Sequence, residues 1–158
     1  MKFVRCLLVV VFGMAGVLSP SVVSAAGGGG DFVESKPADP DYTSGVKAVE
    51  AKNWSQAIEL LMRAMARDDK NADIFNYLGY AERHRGNMDQ AFKHYAKALS
   101  LDPKHRGAHE YVGEAYLLTG NLAKAEEHLA ALDKLCFFSC AEFRDLKAKI
   151  AEHRQKKN

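Results

Sequence analysis

Apolar residues recur three and four positions apart through most of this chain. One run holds Ile58, Leu61 and Met65, and a later one holds Phe92 and Tyr95. This spacing places the apolar side chains on one face of an α-helix, and it predicts helices from about residue 42 onward. Alternating apolar and polar positions never extend far enough for a strand. The pattern therefore predicts an all-α fold.

The chain repeats itself at one constant offset of about 34 residues, a length that accommodates two helices. Sliding the sequence by that distance superimposes three sets of residues: Gly45, Gly79 and Gly113; Asn53, Asn87 and Asn121; Ala57, Ala91 and Ala125. A fixed period of this kind is typical of stacked helix pairs in which each unit covers its neighbour's apolar face. We place the three units at about residues 38–71, 72–105 and 106–139.

The second unit carries the most specific motif. Between Phe75 and Pro103 it reads "FNYLGYAERHRGNMDQAFKHYAKALSLDP", and its key positions are Phe75, Leu78, Gly79, Ala91, Tyr95, Ala98 and Pro103. This segment resembles a tetratricopeptide repeat. The third unit matches at Val112, Gly113, Tyr116, Gly120, Ala125 and Leu129, whereas the first has Asp41 and Ala48 at positions that are bulky in the family.

The resemblance implies a fold and a type of function. The fold is an all-α solenoid of three helical hairpins closed by a C-terminal capping helix, and the first helix of each hairpin faces a concave groove. Such scaffolds bind segments of other proteins and carry no chemistry of their own. The family's glycine and alanine positions lie where two helix axes approach closely.

The same resemblance implies which side chains face the groove. In the first unit they are Tyr42, Val46 and Glu50; in the second, Asn76, Tyr80, Arg83 and His84; in the third, Glu110, Glu114 and Leu117. This mixture suits an extended peptide or a helix of a partner protein. Some of these side chains could instead pack only against adjacent helices. The positions at which some family members clamp a C-terminal carboxylate hold Tyr42, Val46, Tyr77, Gly107 and Tyr111, so we do not expect such a clamp.

The capping helix is expected to begin within "LCFFSCAEF", residues 135–143. Ser139 followed by Glu142 fits a capping box, which predicts a helix from Cys140 to about Arg154 and a basic tail ending at residue 158. Its apolar face would hold Phe143, Leu146 and Ile150. We expect at least one ring of Phe137 and Phe138 to be buried in the corner before this helix.

Cys136 and Cys140 bracket that corner, and three roles are open for them. A corner can bring the two Cα atoms within the distance that a disulfide requires, so a structural disulfide is the first expectation. A reactive pair is the second, because a cysteine at a helix N-terminus has a lowered thiol pKa. A soft-metal site with His128 as third ligand is the third. The last two would make the chain a thiol redox or copper-handling accessory protein.

The N-terminal residues have the features of a secretory signal. Lys2 and Arg5 precede the apolar run Cys6–Leu18, and Val23-Ser24-Ala25 offers small residues for cleavage. We expect a signal peptide at 1–25, a flexible linker with four consecutive glycines at 26–41, and a periplasmic or secreted location. An uncleaved membrane anchor is the alternative.

Cleavage would change the charge of the chain. It removes Lys2 and Arg5 from the 22 basic residues, leaving 20 against 20 acidic residues. A neutral chain gives no reason to expect nucleic acid or membrane lipids as partners. No catalytic motif stands out, and the histidines are scattered; only His105 and His109 have metal-ligand spacing, and they span a turn. We therefore expect no enzyme, no cofactor and no metal, but a protein partner.

Overall fold

The computed structural model describes residues 39–157, which form seven α-helices and contain no strand. The helices are α1 Pro40–Glu50, α2 Trp54–Arg67, α3 Ala72–His84, α4 Met88–Leu101, α5 Arg106–Leu118, α6 Leu122–Leu135 and α7 Ala141–Lys157. The all-α repeat fold is confirmed. The predicted signal peptide and nearly all of the predicted linker lie outside the described residues. The first helix begins at Pro40, slightly before the expected start of the repeats at residue 42.

Helices α1 and α2, α3 and α4, and α5 and α6 form three hairpins. The first helices of the hairpins contact one another along the stack, α1 with α3 and α3 with α5, whereas among the described elements the second helices do not contact each other. The layer of first helices is therefore the inner one, and its exposed face is the concave surface of the solenoid.

Each hairpin closes through the same left-handed turn. The residues in that turn are Lys52, Gly86 and Gly120, with φ of 58°, 85° and 79°. In each case the next residue's N–H donates to a carbonyl of the preceding helix, at Ala48, Glu82 and Tyr116. The three positions are one repeat length apart, so the backbone conformation of the turn repeats together with the sequence. Of these three residues, Lys52 is not a glycine, and its side chain makes a positive φ sterically unfavourable.

Glycines mark the closest helix contacts. A Cβ atom added at Gly45 would lie 2.8 Å from Leu61 Cγ, and one added at Gly79 would lie 2.6 Å from Tyr95 Cε1. Gly113 differs, because its nearest neighbour is Leu146 of α7, at 2.6 Å. Leu61, Tyr95 and Leu146 are completely buried. The helix pairs can approach this closely only because the first helix offers no side chain there.

The first unit's departure from the family pattern has a structural explanation. Asp41, which stands at a bulky position, accepts hydrogen bonds from Arg63 at 3.2 Å and from Arg67 at 2.6 Å. Arg67 also donates to Asp39, whose carboxylate caps α1 by accepting from the backbone N–H groups of Asp41 and Tyr42. Ion pairs thus connect α1 to α2 where other units use apolar contact.

Helix α7 covers the open end of the stack, as expected of a cap. It contacts α5 and α6, and it buries Leu146 and Ile150 against them. Leu78, Val112 and Leu146 are successively one repeat length apart, so α7 occupies the place of a fourth first helix. Lys147 stands at its glycine position, and its side chain is exposed.

The corner before α7 differs from our expectation in two respects. Ser139 does not cap the helix: it has a φ of 38°, α7 begins at Ala141, and the Ser139 carbonyl accepts from Arg144. The predicted capping box is therefore wrong. The rings of Phe137 and Phe138 are 92% and 87% exposed, so the expected burial is wrong as well. The span between two helix ends is too short for the backbone to turn and also direct a ring inward.

Cys136 and Cys140 form a disulfide, with their Cα atoms 5.5 Å apart. Cys136 follows the end of α6 and Cys140 precedes α7, so the bond closes the corner between the last repeat and its cap.

None of the helices in the described region is long and apolar enough to cross a membrane.

The left-handed turns generate a first prediction. Lys52→Gly should stabilise the protein by about 0.5–1 kcal/mol, because glycine adopts positive φ without steric cost. We expect this relief of backbone strain to exceed the entropic cost that glycine adds by making the unfolded chain more flexible. Gly86→Ala is the matched control, and it should destabilise by about 1 kcal/mol since open space surrounds that position and only backbone strain acts. Urea denaturation of both variants checks this, and equal effects of the two would contradict it.

Candidate functional site

Four tyrosines cover the concave face. Tyr42 of α1 and Tyr77 of α3 meet edge to face with ring centroids 6.2 Å apart, and Tyr80 of α3 and Tyr111 of α5 have centroids 4.6 Å apart. All four are half-buried, so each ring presents a face or edge to the groove. We name this set the tyrosine face. It offers rigid aromatic surface with hydroxyl groups, which is typical of protein-binding surfaces.

The sequence predicts Tyr42 and Tyr80 as partner-binding residues, but it suggests Tyr77 and Tyr111 only as positions of the carboxylate clamp. These two are one repeat length apart and directly follow the predicted positions Asn76 and Glu110. The repetition of a tyrosine at this position of neighbouring first helices could have identified both as groove residues from the sequence. Both positions belong to the family's carboxylate clamp, however, and tyrosine does not supply the donors that such a clamp needs.

A small cavity adjoins the tyrosine face near the turn of the first hairpin. It measures about 280 Å³ and is lined by Val49, Glu50, Lys52, Trp54, Tyr77, Tyr80 and Tyr111. Trp54 stacks on His84 with centroids 4.5 Å apart, and His84 in turn contacts Tyr80. Trp54 begins α2, a second helix, and the rule that first helices face the groove could not find it.

Arg83 and Glu114 form a buried ion pair beneath the tyrosines. Arg83 Nη1 lies 2.7 Å from Glu114 Oε2, and the two side chains are 7% and 17% exposed. The guanidinium lies 5.1 Å from the ring centroid of Tyr80 and 5.8 Å from that of Tyr111. This arrangement connects α3 to α5 and holds two tyrosine rings in place.

The predicted groove residues therefore divide into two groups. Asn76, Arg83 and Leu117 are buried, and Leu117 packs in the same core cluster as Leu132 and Leu146. Neighbouring side chains cover them where α3, α5 and α7 pack together, and their predicted contact with a partner stays a prediction. The others remain accessible at the concave side: Tyr42, Val46, Glu50, Tyr80, His84, Glu110 and Glu114. Their binding role stays a prediction.

Negative charge accumulates between α5 and α7. The pKa of Glu110 is raised to about 7, first by burial and then by the nearby carboxylates of Glu114, Asp145 and Glu142, while Arg83 acts in the opposite direction. Burial also raises the pKa of Tyr42 to about 12, and it raises that of Tyr111 further. The hydroxyls of Tyr42 and Tyr111 are thus neutral donors at physiological pH.

Two histidines of the third hairpin contact each other directly. His109 Nδ1 lies 2.9 Å from His128 Nδ1, and His109 Nε2 lies 3.1 Å from the Pro103 carbonyl. The carbonyl only accepts, so His109 carries its proton on Nε2 and its Nδ1 accepts from His128. Burial and the charge of His109 lower the pKa of His128 to about 4.

His105 does not join this pair. Its Nδ1 caps α5 by accepting from the Ala108 N–H, and its Nε2 contacts Asp73 at 3.0 Å. Within residues 39–157 there is no group of three or more histidines, cysteines or carboxylates that could hold a metal ion.

Comparisons with known proteins identify the fold. Residues 42–106 and 82–150 each match a family model described as tetratricopeptide repeat. No curated protein matches the chain significantly.

Solved structures resemble the chain over most of its length. The type III secretion chaperone SycD of Yersinia enterocolitica, in complex with a peptide of the translocator YopD, has a TM-score of 0.63 and 20% identity, covering 75% of this chain and 92% of its own. The Arabidopsis OM64 domain has a TM-score of 0.65 and 18% identity, covering 72% and 93%. The TPR2B domain of yeast Sti1, in a pHsp70 complex, has a TM-score of 0.67 and 17% identity, covering 73% and 94%. At these identities the likeness concerns the fold.

The histidine contact generates a second prediction. The pKa of His128 lies below its unfolded value of about 6.5, so the unfolded chain binds an extra proton between about pH 6.5 and about pH 4. The stability that depends on neutral His128 is present above pH 6.5 and is lost as the pH falls toward 4. Because the ring is only partly buried, we expect a loss of about 1–2 kcal/mol.

His128→Asn should flatten that part of the stability curve. Urea denaturation at several pH values, compared with the parent protein, checks the difference in slope. His94→Asn is a suitable control for removing a partly buried imidazole elsewhere, since burial lowers its pKa too but no second histidine contacts it among the described residues. Parallel curves for the His128→Asn variant and the parent protein would contradict the assignment.

Proposed function

This chain belongs to the tetratricopeptide repeat family, and on that premise we propose that it is a non-enzymatic adaptor or assembly factor. It binds a peptide or helix of a partner protein against the tyrosine face. The observation that carries the proposal is the arrangement of Tyr42, Tyr77, Tyr80 and Tyr111 on three successive inner helices. Their rings form a continuous aromatic surface on the concave side of a rigid stack.

The physical properties of this surface suit an extended segment. Tyrosine loses little rotational freedom on binding, and its ring and hydroxyl supply apolar contact and a hydrogen bond together. The Arg83–Glu114 pair fixes two of the rings before any partner arrives. A preorganised surface binds more tightly because less freedom is lost on association. Two similar folds, SycD and the Sti1 domain, are described in complex with a YopD peptide and with pHsp70, which supports peptide capture.

We also propose export to the periplasm or secretion. The charged start, the apolar run and the small residues before position 26 support a cleaved signal. The disulfide between Cys136 and Cys140 fits an oxidising compartment. It also favours a structural role over copper handling, because a bonded sulfur is not a thiolate ligand.

Partner capture generates a third prediction. The tagged full chain, expressed in its own cells, should retain its partner from the exported fraction, and the double variant Tyr77→Ala with Tyr80→Ala should lose at least about 90% of it. Loss of two central aromatic anchors typically costs more than about 2 kcal/mol, or about thirtyfold in affinity. Quantitative mass spectrometry of the captured proteins is the measurement.

Phe138→Ala is the matched control, since it removes an exposed aromatic ring outside the groove. Circular dichroism should show that all variants remain helical. Capture that survives the tyrosine changes but disappears with Phe138→Ala would place the binding surface at the corner loop and contradict the proposal.

A further inference from the structure

The groove has unbalanced negative charge beside the tyrosine face. Of the carboxylates around Glu110, Glu114 is paired with Arg83, and Glu142 lies 3.5 Å from Arg106. Neither Glu110 nor Asp145 has a cationic partner within 4.0 Å among residues 39–157, and Glu110 is half-buried. A half-buried carboxylate without a counter-charge is costly, and a cation that reached it would be strongly favoured.

The amide on the neighbouring inner helix does not satisfy this carboxylate. Asn76 is 4% exposed, and its Oδ1 has no hydrogen-bond donor within the described residues. Asn76 on α3 and Glu110 on α5 are one repeat length apart, so they hold the same position on adjacent inner helices. The Asn76 amide reaches α5, because a Cβ added at Gly107 would lie 3.3 Å from Asn76 Nδ2. Asn76 packs against α5 but donates no hydrogen bond to Glu110 among the described residues, so Glu110 lacks a neutral donor from α3 as well as a cation.

The aromatic rings at this site already accommodate a cation. The guanidinium of Arg83 lies over the rings of Tyr80 and Tyr111 from within the fold. The faces of tyrosine rings attract positive charge, and their apolar area suits the methylene stem of a long basic side chain. Tyr77, from the same helix as Asn76, provides a further ring at the groove surface.

We propose that the segment captured in the groove carries a lysine or arginine whose charged group binds Glu110. The ammonium or guanidinium donates to the Glu110 carboxylate, and its stem packs against Tyr111. The inference rests on the proposed function, because it specifies the chemistry of the segment that the tyrosine face holds. An acidic segment would meet Glu110, Glu142 and Asp145 and would be repelled.

A library of random linear peptides displayed on phage tests this chemistry without knowledge of the natural partner. The probe is selected in parallel on the intact protein, on Glu110→Gln and on Glu110→Lys. We expect the peptides recovered on the parent protein to be enriched in lysine and arginine. Glu110→Gln should remove that enrichment, and Glu110→Lys should shift it toward aspartate and glutamate. Glu127→Gln, which changes an exposed glutamate of α6, is the control and should leave the preference unchanged.

The pH dependence of binding gives a second readout that mere structural damage would not produce. For a selected lysine-containing peptide, affinity should rise as the pH rises through about 7, where Glu110 ionises. The groups that face Glu110 are Glu114 on its own helix, Arg83 on α3, and Glu142 and Asp145 on α7. Because the expected change near pH 7 comes from Glu110, Glu110→Gln should make the affinity independent of pH in that range and about tenfold weaker at pH 8.

Two results would overturn the inference in distinguishable ways. Peptides that compete for the tyrosine face but show no preference for basic residues would overturn the basic-segment proposal and leave the proposed function standing. If instead every selected peptide binds the Tyr77→Ala, Tyr80→Ala double variant as well as the parent, both proposals fail.

Discussion

The close contact between a glycine of a first helix and the large side chain opposite it sets the geometry of this protein. Gly45 faces Leu61, and Gly79 faces Tyr95, at distances that exclude even a methyl group. Gly113 makes its close contact with Leu146 of α7, so the glycine position of all three first helices marks a close helix approach along the stack. The inner helices then lie side by side, and positions that share a place in the repeat become neighbours across the groove.

The groove follows from that stacking. Tyr77 and Tyr111 share one repeat position, and Asn76 and Glu110 share the preceding one. Arg83 reaches from α3 to Glu114 on α5, and its guanidinium supports the rings of Tyr80 and Tyr111. The Arg83 guanidinium is thus paired inside the fold, whereas the Glu110 carboxylate has no cationic partner among the described residues. The concave surface is therefore aromatic, its rings are held by packing, and it carries an unpaired carboxylate.

The repeat, the helical hairpins and the capping helix were predictable because each depends on a periodic pattern. Features that depend on a single contact could not be predicted from the sequence. Ser139 and Glu142 have capping-box spacing, yet Ser139 has a positive φ in the corner between Cys136 and Cys140, and the helix begins at Ala141. Arg83 holds a groove position in the family pattern, but a glutamate on the next inner helix draws it into a buried pair. Trp54 lies in the groove cavity from a second helix, and no rule about first helices includes it.

The central claim is that a partner segment lies against the tyrosine face, and photo-crosslinking from that face tests it most directly. A photoreactive phenylalanine analogue is placed at Tyr77 in one protein and at the exposed, outward-facing position Lys97 in another, and both are irradiated in the intact source cells. The account predicts one discrete crosslinked partner from position 77, at a peptide carrying lysine or arginine, and none from position 97. The same adduct from both positions, or from position 97 alone, would contradict it.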